Sequence, residues 1–103
     1  MRRMMNVQPE PESFVLKVTN DNMSESGILT GDLVVASRLG TETADGGALV
    51  IVRHGIGAGV SLARLWRWPA GQMRVELSPT ACLTMRADEV TVEGRVVGLM
   101  RRY

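Results

Sequence analysis

Residues 22–32 read Asn-Met-Ser-Glu-Ser-Gly-Ile-Leu-Thr-Gly-Asp and lead straight into Leu33-Val34-Val35. Gly27 and Gly31 permit the sharp backbone turns that bring a short loop back beside a strand. Asp32 can brace such a turn by accepting hydrogen bonds from nearby backbone N–H groups. Ile28 and Leu33 are the apolar residues that would seat it. The stretch 23–29 is the one place in the chain that could hold a short helical turn, so the run predicts a structured loop feeding a β-strand.

On either side of this turn the chain is a succession of short β-prone segments. Phe14-Val15-Leu16-Lys17-Val18-Thr19 alternates as a half-buried strand does. Residues 32–37 and 48–53 are apolar runs bounded by Gly and Asp, which suits buried strands. Residues 40–47, rich in Gly, Thr and Asp, read as the loop between them. The glycines of His54-Gly55-Ile56-Gly57-Ala58-Gly59 predict a hairpin joining 48–53 to 60–68. A phosphate loop would need a Gly-Lys-Ser/Thr ending and a following helix, and the sequence supplies neither. Pro69-Ala70-Gly71-Gln72 predicts a turn, and Met73-Arg74-Val75-Glu76-Leu77 a strand of period two. Residues 90–100 predict a long final strand broken by Gly94 and Gly98, where glycine marks a bend, a bulge or a close backbone approach. Residues 1–12, with Pro9 and Pro11 among acidic side chains, read as a flexible lead-in to one domain spanning 13–103. The expected fold class is all-β, with one short helical turn.

Composition narrows the function. A chain of 103 residues supports a single modest core. A formal net charge of +1 gives no electrostatic case for binding nucleic acid or an anionic membrane. The terminal pairs Arg2-Arg3 and Arg101-Arg102 read as solvated. No amphipathic segment is long enough for a helix-turn-helix reader, so no direct DNA-binding motif is expected. No apolar run approaches the ~20 residues of a membrane span, and the basic N-terminus runs into Pro and Glu instead of the apolar core of a secretory signal. The protein reads as soluble and cytoplasmic. Cys82 is the only cysteine, which excludes an intrachain disulfide and a zinc cluster. It is expected as a small packed residue, and no metal or cofactor is expected.

Four segments, in order, carry a resemblance. Residues 23–32 have the spacing Met-x-x-x-Gly-Ile-x-x-Gly-Asp. Ser61-Leu62-Ala63-Arg64-Leu65 stands where a TVKRL-type segment would. Val75-Glu76-Leu77-Ser78-Pro79 matches a VELxP strand end, and Val92-Glu93-Gly94-Arg95-Val96-Val97-Gly98 an hEGxhhG closing strand with h apolar. At this spacing the chain resembles the LexA/UmuD-like self-cleaving serine peptidases, the family that includes lambda-repressor C-terminal domains, from about Phe14 to Arg101. The resemblance implies twisted, partly barrel-like sheets, with Met23, Gly27, Ile28, Gly31 and Asp32 as the scaffold of an active-site turn. Peptidases of this family use a serine activated by a lysine that burial keeps neutral. Here the serine position falls on Asn22 and the lysine position on Ala63, which implies a catalytically degenerate member. The Ala-Gly or Cys-Gly cleavage dipeptide of the family is absent from the 21 residues before Asn22. Lys17 and His54 are the only lysine and histidine. A Ser24–His54–Asp32 triad can be written down, but nothing in the spacing compels it, and Ser24 and Ser26 read as turn residues.

Without that chemistry, function is expected on surfaces. Relatives of such domains associate mostly as dimers, and the closing strand, with Val92, Gly94, Val96, Val97, Gly98, Leu99 and Met100, is the candidate dimer element, an edge strand of this kind being a pairing hazard unless covered. Its alternative is an internal strand of the monomer. Trp66 and Trp68, two apart and so on one face, form with Arg64 and Arg67 a candidate partner patch. The leading expectation is an inactive association domain in transcriptional repression or the SOS or phage response. The alternative is a UmuD′-like accessory protein of an error-prone polymerase or a recombinase filament, and the third a residual serine hydrolase. The expected partners are a second copy, a LexA-like repressor, the recombinase or that polymerase.

Overall fold

The computed structural model describes residues 12–55 and 59–101. Among these residues seven strands form one sheet: β1 (Ser13–Lys17), β2 (Leu33–Ser37), β3 (Ala48–His54), β4 (Ser61–Trp68), β5 (Gln72–Ser78), β6 (Ala81–Arg86) and β7 (Val90–Met100). Their order is β1-β2-β7-β3-β4-β5-β6, every neighbour antiparallel. Among the described residues helical structure is limited to three 3₁₀ turns, Ser24–Ser26, Thr41–Thr43 and Ala87–Glu89. The domain is all-β, and the hairpin expected between 48–53 and 60–68 is present as β3 and β4. The expected lead-in, apart from Glu12, and the hairpin tip 56–58 lie outside the described residues.

Period-two alternation divides the core between two faces of the sheet. On β3, Val50 and Val52 join Ala63, Leu65, Met73, Val75, Val90 and Ala44 in one cluster. Ile51, between them in sequence, joins Val34, Ala36, Met23 and Ile28 in the other, with Phe14, Leu16, Leu62 and Val96 packed against it. The middle of the sheet is thus buried on both sides, which is why β3 reads as a continuous apolar run. Loop residues Met23 and Ile28, both buried, close the second cluster.

The two glycines of β7 each sit beside a bulge. Against β2 the register passes from Val35↔Gly98 to Ala36↔Val96, leaving Val97 displaced. Against β3 it passes from Ile51↔Gly94 to Val52↔Val92, leaving Glu93 displaced. Gly94 also answers a close approach, because a Cβ there would lie 2.8 Å from two carbons of the Phe14 ring. The strand is flanked by β2 and β3, so both of its hydrogen-bonding edges are occupied, and it can meet a partner only through its side chains.

Strand β6 was not legible in the sequence, and Cys82, expected as packed, is exposed on it. Ala81–Arg86 lies at the sheet margin with five of its six side chains exposed. Ala81, Cys82, Leu83 and Met85 do not alternate with polar residues, because neither face of this margin is buried.

Candidate functional site

The loop from Val18 to Asp32 is closed at its base like a strand pair. The Val18 N–H donates to the Asp32 carbonyl and the Gly31 N–H to the Val18 carbonyl, each at 2.8 Å. Within it the 3₁₀ turn ends at Gly27, whose left-handed φ of 83° lets its N–H return to the Ser24 carbonyl. Gly31, at φ 95°, makes the second reversal. At both positions an added Cβ would meet nothing, so the backbone angle and not room selects glycine. Asp21 ties the far side, accepting from both the N–H and the hydroxyl of Thr30 at 3.0 and 2.9 Å, which lowers its pKa.

Asp32 is the electrostatic centre of the turn. It is only 3% exposed. Its Oδ2 accepts from the Leu29 N–H at 2.8 Å. Arg101 clamps it in bidentate fashion, Nε to Oδ1 at 2.8 Å and Nη2 to Oδ2 at 2.7 Å, and Nη2 also reaches the Gly27 carbonyl at 2.6 Å. The guanidinium first, then the Leu29 N–H, holds the carboxyl down at about 2 against the usual 3.8. Arg101 therefore corrects the reading of the terminal arginines as solvated. The sequence signal for it was indirect: a carboxylate buried in a turn demands a cation, but nothing local says which one.

Beside the turn lies a cavity of about 210 Å³. Val34, Ile51, Leu16, Leu62, Leu77 and Met23 give it apolar walls, Asn20, Asn22, Thr19 and Ser61 bring polar groups to it, and Lys17 borders it. Asn22 also borders a second cleft with Ser26, Glu76, Ser78 and Pro79, so the turn and the Val75–Pro79 motif meet there. Arg64 spans that margin, donating to Ser26 Oγ at 2.9 Å and to the Gly47 carbonyl at 2.8 Å.

No family model matches the chain. Over 98 residues it is 30% identical to the LexA repressor of Carboxydothermus hydrogenoformans, covering 92% of this chain and 46% of that protein. Over 94 residues it is 38% identical to the LexA repressor of Rhodospirillum rubrum, covering 89% and 36%. Over 103 residues it is 33% identical to that of Gluconacetobacter diazotrophicus, covering 96% and 38%. The chain is a LexA-like domain. It spans less than half the length of each of these relatives.

In this LexA-like domain the residues that the resemblance maps onto a dyad stand apart. Asn22 is exposed at the cavity, whereas Ala63 is fully buried in the cluster on the opposite sheet face. The β4 side chain that shares a cluster with Met23 and borders the cavity is Leu62. An asparagine amide does not ionise to a nucleophile, and neither alanine nor leucine can act as a base. The alternative Ser24–His54–Asp32 set is not assembled. Asp32 precedes Leu33, which faces Met100, while His54 faces Val90, ten residues away along β7. That is a separation of roughly 30 Å at the strand rise.

The candidate partner patch is divided as well. Trp66 and Arg64 lie on the face of the turn, Trp66 packing over Gly47 and under Arg74. Arg67 belongs to the other face, where it donates to the Ala44 and Thr41 carbonyls and its N–H to Asp45. Trp68 is the exposed member.

Proposed function

We propose that this LexA-like domain does not cleave itself and acts by association, as a dimerising element in transcriptional repression or the SOS or phage response. The observation that carries the reading is the content of the cavity: Asn22 lines it, apolar Leu62 stands on the strand beside it, and Lys17, which borders it too, alternates with inward Leu16 and so belongs to the other face of the sheet. The turn keeps its braced form without that chemistry, because Arg101 joins Asp32 to the Gly27 carbonyl, the Leu29 N–H donates to Asp32, and the Gly31 N–H donates to Val18.

The association surface fits the outer face of β1, β2 and β7. The register aligns Lys17, Leu33 and Met100 in one row across the three strands and Val15, Val35 and Gly98 in the next. Val15, Leu33, Val97 and Met100 are all exposed there, Val97 at 54%. A contiguous apolar patch of this kind is what an isologous dimer covers. Light scattering on the purified protein tests it: Val97→Glu is expected to lose the association made through this face, so that its apparent mass falls below that of the native chain, and a native chain that stays monomeric at high micromolar concentration, or a variant with the native mass, contradicts it.

A further inference from the structure

The sheet has two margins, and β6 is the less protected. Between Ala81 and Met85 it carries no lysine, proline or inward charge, the devices that usually keep an edge strand from pairing. The opposite margin, β1, includes Lys17.

The hydrogen-bond parity of β6 can be read from its neighbour. Opposite residues in an antiparallel pair alternate between exchanging backbone bonds and exchanging none. The β5–β6 register continues past Gln72↔Arg86 to Gly71 and Ala87, where the Ala87 N–H donates to the Gly71 carbonyl at 2.7 Å. Met85 and Leu83, two and four positions back, therefore direct their backbone groups to β5. Cys82, Thr84 and Arg86 direct theirs outward. Arg86 agrees with this parity, since its N–H is taken by Glu89 Oε1 at 2.9 Å. The free edge thus presents the N–H and C=O of Cys82 and of Thr84.

We infer that β6 is a self-pairing edge, and that its occupant is β6 of a second copy of this chain, antiparallel, with Leu83 on the two-fold axis. In that register Cys82 of each copy faces Thr84 of the other, and the two pairs exchange four backbone hydrogen bonds. Moving the axis to Thr84 would set Cys82 against Arg86, whose N–H is already capped. Moving it to Cys82 would require Thr80, which lies in the turn before the strand. The side chains agree with the backbone. Leu83, 37% exposed, continues the row of fully buried Val75, and Met85 the row of Met73. Pairing sets Ala81, Leu83 and Met85 against Met85, Leu83 and Ala81, so the core cluster runs on across the axis with no charge opposed to a like charge. This edge lies at the other end of the strand order from the β1–β2–β7 face, so the two contacts are independent, and together they would build an open chain of copies.

Disulfide trapping reads this register directly. Leu83 would form a non-hydrogen-bonded pair with its symmetry mate, its Cα atoms about 4.5 Å apart, within the range a disulfide spans. In the full chain with Cys82→Ser, Leu83→Cys is expected to cross-link under mild oxidation at least tenfold faster than the control Thr43→Cys, placed on an exposed loop. Adding Thr84→Pro removes an outward N–H that β5 does not use, so it should abolish the cross-link while leaving the circular dichroism and thermal midpoint close to native. Cross-linking no faster than the control overturns the proposal, as does a cross-link that survives Thr84→Pro in a folded protein. Amide exchange needs no variant. Protection of the Cys82 and Thr84 amides that rises with protein concentration supports the pairing, and exchange at those amides that is fast at every concentration contradicts it.

Discussion

A carboxylate that is almost wholly buried has to be matched, and Asp32 is matched twice, by a guanidinium that arrives from the far end of the sequence and by an N–H of its own turn. Because its folded pKa is depressed to about 2 from 3.8, the ionised form favours folding. That contribution is complete above pH ~4 and is lost as the pH falls toward 2. The urea midpoint of the native chain should therefore drop across that window, and Asp32→Asn should show a shallower drop; equal slopes would mean that the clamp is not formed. The faces of β4 give a second residue-scale expectation. Ala63→Lys would bury an unpaired ammonium and should cost about 3–5 kcal/mol. Leu62→Lys, whose ammonium can reach the cavity, should cost clearly less by the same denaturation measurement. The reverse order would exchange the faces assigned to these two side chains. The turn's glycines and Asp32 could be read from the sequence because their roles are local. Arg101 could not, since its partner is far away in the chain, and the orientation of β4 toward the cavity depends on strand parity that a motif alignment does not fix.

Elements with a strong period or a glycine punctuation were legible: β1 to β5 and β7 fall where the apolar alternation sets them, because burial on the sheet is what selects that alternation. β6 was missed because an edge strand exposed on both faces has no buried side to select an alternation of apolar and polar residues. The place of β7 between β2 and β3 is a matter of topology, which pattern alone does not carry. Its glycines illustrate how a sequence signal acquires a cause. Gly94 makes room for Phe14, whose ring also stacks under Arg38 at 4.4 Å. Gly94→Ala should destabilise the domain by about 1–3 kcal/mol, the usual cost of overpacking. Combined with Phe14→Leu it should cost less than the sum of the two single changes, because the clash is shared. Additive costs in thermal denaturation would show that the ring does not confine the glycine.

At the scale of the molecule, one sheet is buried on both sides at its middle, braced at the turn by an ion pair, and apolar at the outer face of β1, β2 and β7. No helix among the described residues is long and apolar enough to cross a membrane. The outer face predicts that Val97→Glu lowers the apparent mass in light scattering without shifting the thermal midpoint by more than a few degrees, since Val97 is already exposed in the single chain; loss of folding instead would place that side chain in the core. The central claim is that the turn is retained scaffold beside a cavity in which no serine is activated. Intact-mass spectrometry of the chain after long incubation with a fluorophosphonate tests it most directly. An unmodified, unfragmented mass is the predicted result. A stoichiometric adduct on Ser24, Ser26 or Ser61, or a pair of fragments that sum to the whole chain, would contradict it.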